Sequence, residues 1–251
     1  MKFNHSRRKL FSRFTFTVQY DFFNSFFFAT LICFLLVGCS PRLSKPVSKR
    51  DLGKDIEMIT DRGTMILRLS DSTPLHRDNF IRLVKSGFYN GITFHRVIQG
   101  FMIQAGDPRT KKTKDSAFRS STRIPAEIRP ELYHKKGVLA AAREGDASNP
   151  TRASSYSQFY LVQGRVFTDF SLDSTETYRL KGRKLPVAHR EVYKTLGGSP
   201  HLDQNYTVFG EVISGIGVID LIAGSKTSGK EGGDRPLQDI RIQKMRLVSR
   251  K

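Results

Sequence analysis

A short stretch near the middle of the chain, from Thr93 to Pro108, combines residue types that could form a functional site. Two apolar runs flank Gly100, and they contain a guanidinium, Arg96, in the first and an amide, Gln104, in the second. Alternate side chains of a strand point to opposite faces. Two strands here could therefore direct a fixed cation, an aromatic ring, a thioether and an amide to one side of a small sheet. That combination is unusual for a hydrophobic core and indicates a binding or catalytic site.

Several other chemistries lack the residues that they need. The sequence has no Cys/His cluster and no His-Glu-x-x-His pattern, so we expect no metal site and no cofactor. No Gly-x-Ser-x-Gly elbow is present, and Gly215-Ile-Gly217 lacks the third glycine of a dinucleotide loop. His95 lies beside Arg96, but strand alternation directs the two side chains to opposite faces. We therefore expect His95 to be a buried, hydrogen-bonded structural residue.

The charge of the chain allows two interpretations. Its 251 residues carry a formal net charge of +19, which favours contact with polyanions. A well-solvated basic exterior explains the same charge, and the sequence leaves both interpretations open. Because no nucleic-acid-binding motif is present, we expect no nucleic-acid partner. The length suits one domain with appendages, and we expect a monomer.

The first 39 residues have the pattern of a targeting segment. A basic beginning is followed by twelve apolar residues, Phe26–Val37, which is short for a spanning helix of about 20 residues. The run ends in Leu36-Val37-Gly38-Cys39, which resembles the lipobox of bacterial lipoproteins. The resemblance implies a signal peptide over 1–39 and lipidation of Cys39. The alternatives are a plain signal peptide or a signal anchor.

This targeting pattern sets the expected location of the protein. A lipid anchor at Cys39 would hold it on a membrane of the bacterial cell envelope, facing the periplasm. Residues 40–54 are polar and contain Pro41 and Pro46, so we predict a flexible tether between the anchor and the domain.

Beyond residue 54, short apolar runs typical of strands dominate the sequence. Ile56–Thr60 and Thr64–Leu69 flank a glycine-containing turn and predict a hairpin. Further strands are predicted over Gly137–Ala142, Ser157–Val162, Tyr206–Val212 and Ile240–Val248. The first of these fits a strand or a helix by pattern, and the turn-forming residues after it favour a strand. Many short strands with few helices predict a mostly antiparallel sheet closed into a barrel.

Helices are predicted at three places in this mostly β domain. One begins at Thr73-Pro74, where a cap precedes a proline at the first helical position, and another covers Gly217–Ala223. The segment 167–198 interrupts the strand rhythm with two helical stretches, Asp169–Leu180 and Ala188–Leu196. We interpret 167–198 as a helical insertion.

Three motifs carry a resemblance to a known family. The run Phe94-His95-Arg96-Val97-Ile98-Gln99-Gly100-Phe101-Met102-Ile103-Gln104-Ala105-Gly106-Asp107 resembles the signature of cyclophilin-type peptidyl-prolyl isomerases. Ser157-Gln158-Phe159-Tyr160 is similar to the second signature, and Leu202-Asp203 with Val208–Val212 is similar to the third. The resemblance covers the chain from residue 55 to about 250. It implies a closed eight-stranded antiparallel barrel capped by two helices, with 167–198 inserted.

The resemblance also assigns roles to individual residues. Arg96 falls on the catalytic arginine of the family, and Gln104 falls on the polar rim and is predicted to assist catalysis. The predicted substrate-binding residues are Phe101, Met102, Ala142, Arg143, Gln158, Tyr160, Leu202 and Tyr206. The sequence departs from the family pattern at four positions: Arg143 replaces a common Asn, Tyr160 a Phe, Tyr206 a His, and His201 the Trp of cyclosporin-sensitive members.

The implied reaction fits these residue types. An X–Pro bond isomerises slowly because rotation destroys amide resonance behind a barrier of roughly 18–20 kcal/mol. No bond is broken, so neither a nucleophile nor a metal is needed. A guanidinium cannot lose its charge and can hydrogen-bond the prolyl nitrogen as that nitrogen regains its lone pair. We predict a peptidyl-prolyl cis–trans isomerase that acts on proline-containing polypeptides during the folding of exported proteins. The alternative is a membrane-tethered proline-peptide-binding module or chaperone with little turnover.

Overall fold

The computed structural model describes residues 46–111 and 122–250. The predicted signal peptide, the lipidation site Cys39 and the first part of the predicted tether lie outside the described residues. Within the described residues, no helix has both the length and the apolar character that crossing a membrane requires.

Eight strands of the described chain form one antiparallel sheet. They are β1 (Lys54–Thr60), β2 (Gly63–Leu69), β3 (Arg96–Ile98), β4 (Met102–Ala105), β5 (Val138–Ala141), β6 (Phe159–Val162), β7 (Val208–Ser214) and β8 (Ile242–Ser249). Their order across the sheet is β3-β4-β6-β5-β7-β2-β1-β8. The predicted strands are therefore present, with ends that shift by a few residues.

The sheet is an open half-barrel, so the prediction of a closed barrel is wrong. No ladder joins the edge strands β3 and β8 among the described residues. Only isolated contacts cross the gap, such as the bridge between Thr93 and Arg241 and a hydrogen bond from the Phe94 N–H to the Ile240 carbonyl at 2.9 Å. β3 has only three residues and ends at the turn around Gly100, so it is too short to pair along β8.

Two helices pack on the sheet as predicted. They are α2 (Pro74–Lys85) and α5 (Gly217–Ala223). Both bury most of their apolar side chains in the largest core of the described chain, together with alternate residues of the strands. In β6, for example, Phe159 and Leu161 point into this core. We call this side of the sheet the core face.

The last part of the predicted tether is folded. A short helix, α1 (Lys49–Leu52), precedes β1, and its Asp51 is buried. The Asp51 carboxylate accepts hydrogen bonds from the Ser48 N–H at 2.9 Å and from the Lys85 ammonium at 2.7 Å. Because Lys85 lies on α2, far away in the sequence, the local composition of 46–54 does not reveal this contact.

The segment 167–198 contains the two predicted helical stretches. The first is α3 (Asp169–Ser174), which continues as a π-helical turn, Thr175–Arg179, and the second is α4 (Val187–Thr195). Side chains from these helices and from the loops beside them form a separate small core of Phe167, Leu172, Leu180, Leu185 and Tyr193. The carboxylate of Glu176, which is 1% exposed, accepts hydrogen bonds from Lys184, Arg190 and the Leu185 N–H.

Candidate functional site

Nine of the ten predicted site residues line one cavity of about 250 Å³ on the sheet side opposite the core face. They are Arg96, Phe101, Met102, Gln104, Ala142, Arg143, Tyr160, Leu202 and Tyr206. The tenth, Gln158, lies beside them, because its side-chain oxygen accepts a hydrogen bond of 3.1 Å from the Gln104 amide. We call this cavity the proline groove.

Strand register explains why the polar residues meet. Arg96 on β3 pairs with Gln104 on β4, which pairs with Tyr160 on β6. Directly opposite residues of paired strands share a face, so these three side chains form one row across the sheet. Val97 and Ile103, which alternate with them, point into the core. A signature that is continuous in sequence thus becomes one wall of a groove.

Arg96 is the cation of the row and remains accessible. Its side chain is 43% exposed, and its Nε lies 3.5 Å from the Asp234 carboxylate. No hydrogen bond to its guanidinium is found within residues 46–111 and 122–250. The remaining N–H groups therefore point to a ligand or to solvent rather than to the protein.

Apolar side chains form the floor of the groove. Met102, Tyr160 and Leu202 are buried in a second cluster that also contains Ala142 and packs against Phe101 and Tyr206. The Phe101 ring lies against the His201 ring, with centroids 5.4 Å apart. Burial lowers the pKa of His201 to about 4, so this ring is neutral at neutral pH. The floor suits a compact apolar ring such as that of proline.

Of the two predicted binding residues at the end of β5, only Arg143 has free backbone groups among the described residues. The Ala142 N–H already donates to the Gln158 carbonyl at 3.0 Å, and the Ala142 carbonyl accepts from the Ser155 N–H at 2.8 Å. The Arg143 backbone groups make no hydrogen bond to any described residue. Ala142 therefore contributes its methyl group to the groove, and backbone pairing is left to Arg143.

The Arg143 side chain is fixed beside the groove. Its guanidinium lies over the Tyr206 ring, 4.4 Å from the centroid. Its Nε donates to the Asn205 carbonyl at 2.9 Å, and one Nη donates to Asp146 at 2.6 Å. Arg143 therefore holds the loop around Asn205 against the strand end.

A buried hydrogen-bonded chain behind the groove was missed by the sequence reasoning. The Tyr160 hydroxyl lies 3.0 Å from His134 Nε2, and His134 Nδ1 lies 3.0 Å from the Asp203 carboxylate. Asp203 also accepts from the Tyr193 hydroxyl at 2.7 Å. Burial raises the pKa values of Tyr160 and Tyr193 well above the usual range. The chain thus links the groove floor to the segment 167–198.

One sequence signal pointed to part of this chain. Tyr160 places a hydroxyl where the family signature usually has a phenylalanine, and a buried hydroxyl needs a partner. The partner, His134, lies outside the three motifs, so the sequence did not identify it.

His95 differs from its prediction. It is half-buried rather than buried, and its Nδ1 has no hydrogen-bond partner among the described residues. Burial lowers its pKa, an effect that the nearby Asp107 carboxylate opposes. It does not line the proline groove, as the alternation of the strand predicted.

Comparison with known proteins places this chain in a family. The sequence model described as "Cyclophilin type peptidyl-prolyl cis-trans isomerase/CLD" matches residues 55–247. A protein of Staphylococcus saprophyticus subsp. saprophyticus, provisionally named a peptidyl-prolyl cis–trans isomerase, is 33% identical over 199 residues. That alignment covers 78% of this chain and 93% of the relative.

Solved structures agree at the level of the fold. A Cryptosporidium parvum cyclophilin-type peptidyl-prolyl cis–trans isomerase superposes with a TM-score of 0.56 and 23% identity, covering 79% of this chain and 99% of that one. Its crystal structure in the presence of the dipeptide Ala-Pro gives a TM-score of 0.55 at 23% identity, covering 78% and 99%. The family model matches most of the chain, and the alignment with the relative covers most of both proteins. This chain therefore belongs to the cyclophilin-type peptidyl-prolyl cis–trans isomerases.

Proposed function

We propose that the proline groove of this isomerase accelerates rotation about X–Pro bonds with Arg96 as the catalytic residue. The observation that carries the assignment is the row of Arg96, Gln104 and Tyr160 beside an apolar floor. The floor holds the proline ring, and the guanidinium lies at one side of it. As the C–N bond twists, the prolyl nitrogen regains its lone pair and accepts a hydrogen bond from Arg96. Such a bond favours the twisted state over both planar states.

Gln104 orients the peptide on the same side. Its amide nitrogen donates to Gln158, which fixes the amide plane and leaves the Gln104 oxygen and one N–H for the substrate. The backbone of Arg143 offers one further N–H and carbonyl at the groove edge. These groups hold the peptide on either side of the proline, so that binding restrains the substrate while one bond rotates.

The proposed substrates are unfolded exported proteins. Unfolded chains contain a substantial cis fraction at X–Pro bonds, and its slow exchange can limit folding. The crystallisation of a structurally similar protein in the presence of the dipeptide Ala-Pro supports proline-containing peptides as substrates. The lipobox-like run before Cys39 supports an anchor in the cell envelope, where exported chains emerge unfolded.

The anchor has its own test. Cells that express the full chain would be grown with a radiolabelled fatty acid, and the Cys39→Ala variant would be compared with a Cys33→Ala control. We expect label in the wild type and in the control, and none in Cys39→Ala. Equal labelling of all three proteins would contradict the lipid anchor.

The activity is tested by cis–trans exchange in a proline tetrapeptide, followed by NMR. We expect the wild type to accelerate exchange and Arg96→Ala to lose about 10²–10³-fold in kcat/KM, the usual effect of removing one transition-state donor. Arg62→Ala removes an exposed guanidinium away from the groove and is the matched control. A wild type no faster than buffer would contradict the proposal. Tight peptide binding that survives Arg96→Ala without exchange would instead favour the binding module.

A further inference from the structure

A second cavity of about 430 Å³ lies next to the proline groove. The two share Arg143, Leu202 and Tyr206 in their walls, so they are adjacent. The outer wall of the second cavity comes from the segment 167–198, which contributes Arg179 and Lys181. We call it the basic cavity.

Cations dominate the lining of the basic cavity. Arg143, Arg152, Arg179, Lys181 and Arg183 face the single carboxylate of Asp146. That carboxylate is already bound by Arg143 at 2.6 Å and approached by Arg152 at 3.5 Å. Its hydrogen bond with Arg143 lowers the pKa of Asp146, with smaller contributions from Arg152 and Lys181. The carboxylate therefore stays ionised and engaged, and the cavity keeps a large positive excess.

Two of these cations make neither an ion pair nor a side-chain hydrogen bond among the described residues. Neither Arg179 nor Lys181 makes an ion pair with any residue in 46–111 or 122–250. Arg183, by contrast, donates to the Asp203 carbonyl at 2.6 Å and so has a structural role. Like charges placed together without an anion repel one another, and a bound anion would relieve that repulsion.

The backbone that carries the unpaired cations is held in place. Arg179 ends the helical turn whose Glu176 is buried and triply hydrogen-bonded. Lys181 is in the left-handed region at φ 54°, which is costly for a residue other than glycine. Arg152, at φ 54°, and Gln204, at φ 59°, are in the same region, and the Arg152 guanidinium donates to the Gln204 carbonyl at 3.3 Å. Strained backbone of this kind concentrates at functional sites.

We propose that the basic cavity binds an acidic side chain of the same polypeptide whose proline occupies the proline groove. The inference rests on the proposed function and adds a substrate preference to it. An extended chain advances about 3.3–3.6 Å per residue, so the acidic residue lies within a few residues of the proline. A nucleic acid fits less well, because both rings of the lining that could stack a base are engaged: Tyr206 is covered by Arg143, and His201 lies against Phe101.

The test compares peptides that differ in one side chain. Proline peptides of one sequence would carry Glu, Gln or Lys two residues before or two residues after the proline. For the preferred position, we expect the wild type to turn over the Glu peptide with about fivefold higher kcat/KM than the Gln peptide. The Lys peptide should be worse than both. Calorimetric affinities should follow the same order.

Two variants with the same loss of charge locate the effect. Arg179→Ala/Lys181→Ala removes both unpaired cations, and Arg62→Ala/Lys244→Ala removes two exposed cations elsewhere. We expect the Glu-to-Gln ratio to fall to about one in the first variant and to keep its wild-type value in the second. Equal losses in both variants would overturn the proposal, because the overall charge would then explain the preference.

Other outcomes would also overturn the assignment. If the wild type isomerises the Glu and Gln peptides at equal rates at both positions, the cavity is not a subsite for an acidic side chain. A single-stranded oligonucleotide that binds more tightly than the Glu peptide and loses its affinity in Arg179→Ala/Lys181→Ala would make the cavity a nucleic-acid site. A wild type that isomerises no peptide removes the proposed function, and the calorimetric comparison of Glu and Gln peptides still decides whether the cavity binds acidic residues.

Discussion

The proline groove and the basic cavity share a wall but are built from different kinds of structure. The groove takes Arg96, Gln104 and Tyr160 from three adjacent strands, where the register fixes each side chain. The cavity takes Arg179 and Lys181 from a helical turn and the loop after it. Strand-borne side chains are held more closely than loop-borne ones. The groove is therefore suited to chemistry, and the cavity to selection among substrates.

The buried chain of Tyr160, His134, Asp203 and Tyr193 joins these two regions. Tyr160 belongs to the groove floor, and Tyr193 belongs to the helix α4 behind the cavity. Every member is buried, so a missing partner would leave a donor or an acceptor without water. In our proposal, the strands of the family scaffold carry out catalysis, and the segment 167–198 adds selectivity.

The strongest test of this division combines changes in both regions. On the Glu peptide, Arg96→Ala should lower kcat/KM by about 10²-fold or more, and Arg179→Ala/Lys181→Ala by about fivefold. If the regions act independently, the combined variant should show the product of these factors, because distant sites are additive in free energy. Exchange rates measured by NMR check this. A combined loss much smaller than the product would mean that the cations act through Arg96 rather than beside it.

Disrupting the buried hydrogen-bonded chain at Asp203 should destabilise the folded state. In Asp203→Ala, three buried donors lose their acceptor: the His134 N–H, the His134 ring and the Tyr193 hydroxyl. At about 1 kcal/mol or more for each donor, the free energy of unfolding should fall by about 3 kcal/mol. Urea denaturation measures the change. The exposed Asp71, which pairs only with Arg77, is the control, and its Ala variant should lose less than about 1 kcal/mol. Equal losses would contradict a buried link.

The sequence predicted the groove better than the cavity for a physical reason. Arg96, Phe101, Met102 and Gln104 lie within one signature, and strand alternation determines which of them share a face. The link and the cavity depend on contacts between distant residues, such as His134 with Tyr160 and Arg152 with Gln204. Local composition contains no signal for such contacts.

One error in the fold and one feature of the groove have a related cause. Barrel closure depends on the length of the edge strands, and the pattern did not show that β3 stops after three residues. The backbone groups of Ala142 are occupied by Gln158 and Ser155, which the pattern did not show either. Both outcomes depend on which residue forms a hydrogen bond with each backbone group in the folded sheet, and the local sequence does not determine this.

The contribution of each terminal hydroxyl of the buried hydrogen-bonded chain to stability can be measured separately. Tyr160→Phe and Tyr193→Phe each remove one buried hydrogen bond and leave the ring, so each should lower the free energy of unfolding by about 1–2 kcal/mol. Tyr206→Phe is the matched control, because its hydroxyl makes no hydrogen bond to a described residue, and it should change stability by less than about 0.5 kcal/mol. Thermal and urea unfolding check the three variants. A Tyr160→Phe variant as stable as wild type would show that the hydroxyl is not held by His134.

The smallest expected effect is at Lys181, where one substitution should change the stability and the affinity for the Glu peptide in opposite directions. Lys181 is held at φ 54°, and Asn tolerates this left-handed conformation better than Lys. Lys181→Asn should therefore raise the free energy of unfolding by about 0.5 kcal/mol while it lowers the affinity for the Glu peptide about twofold. Urea denaturation and calorimetry measure the two changes. Lys184→Asn, which removes the ammonium that binds Glu176, should lower stability instead. A stability gain at Lys181 without loss of affinity would mean that the Lys181 ammonium has no part in holding the acidic residue, and binding would then depend on the other cations of the cavity.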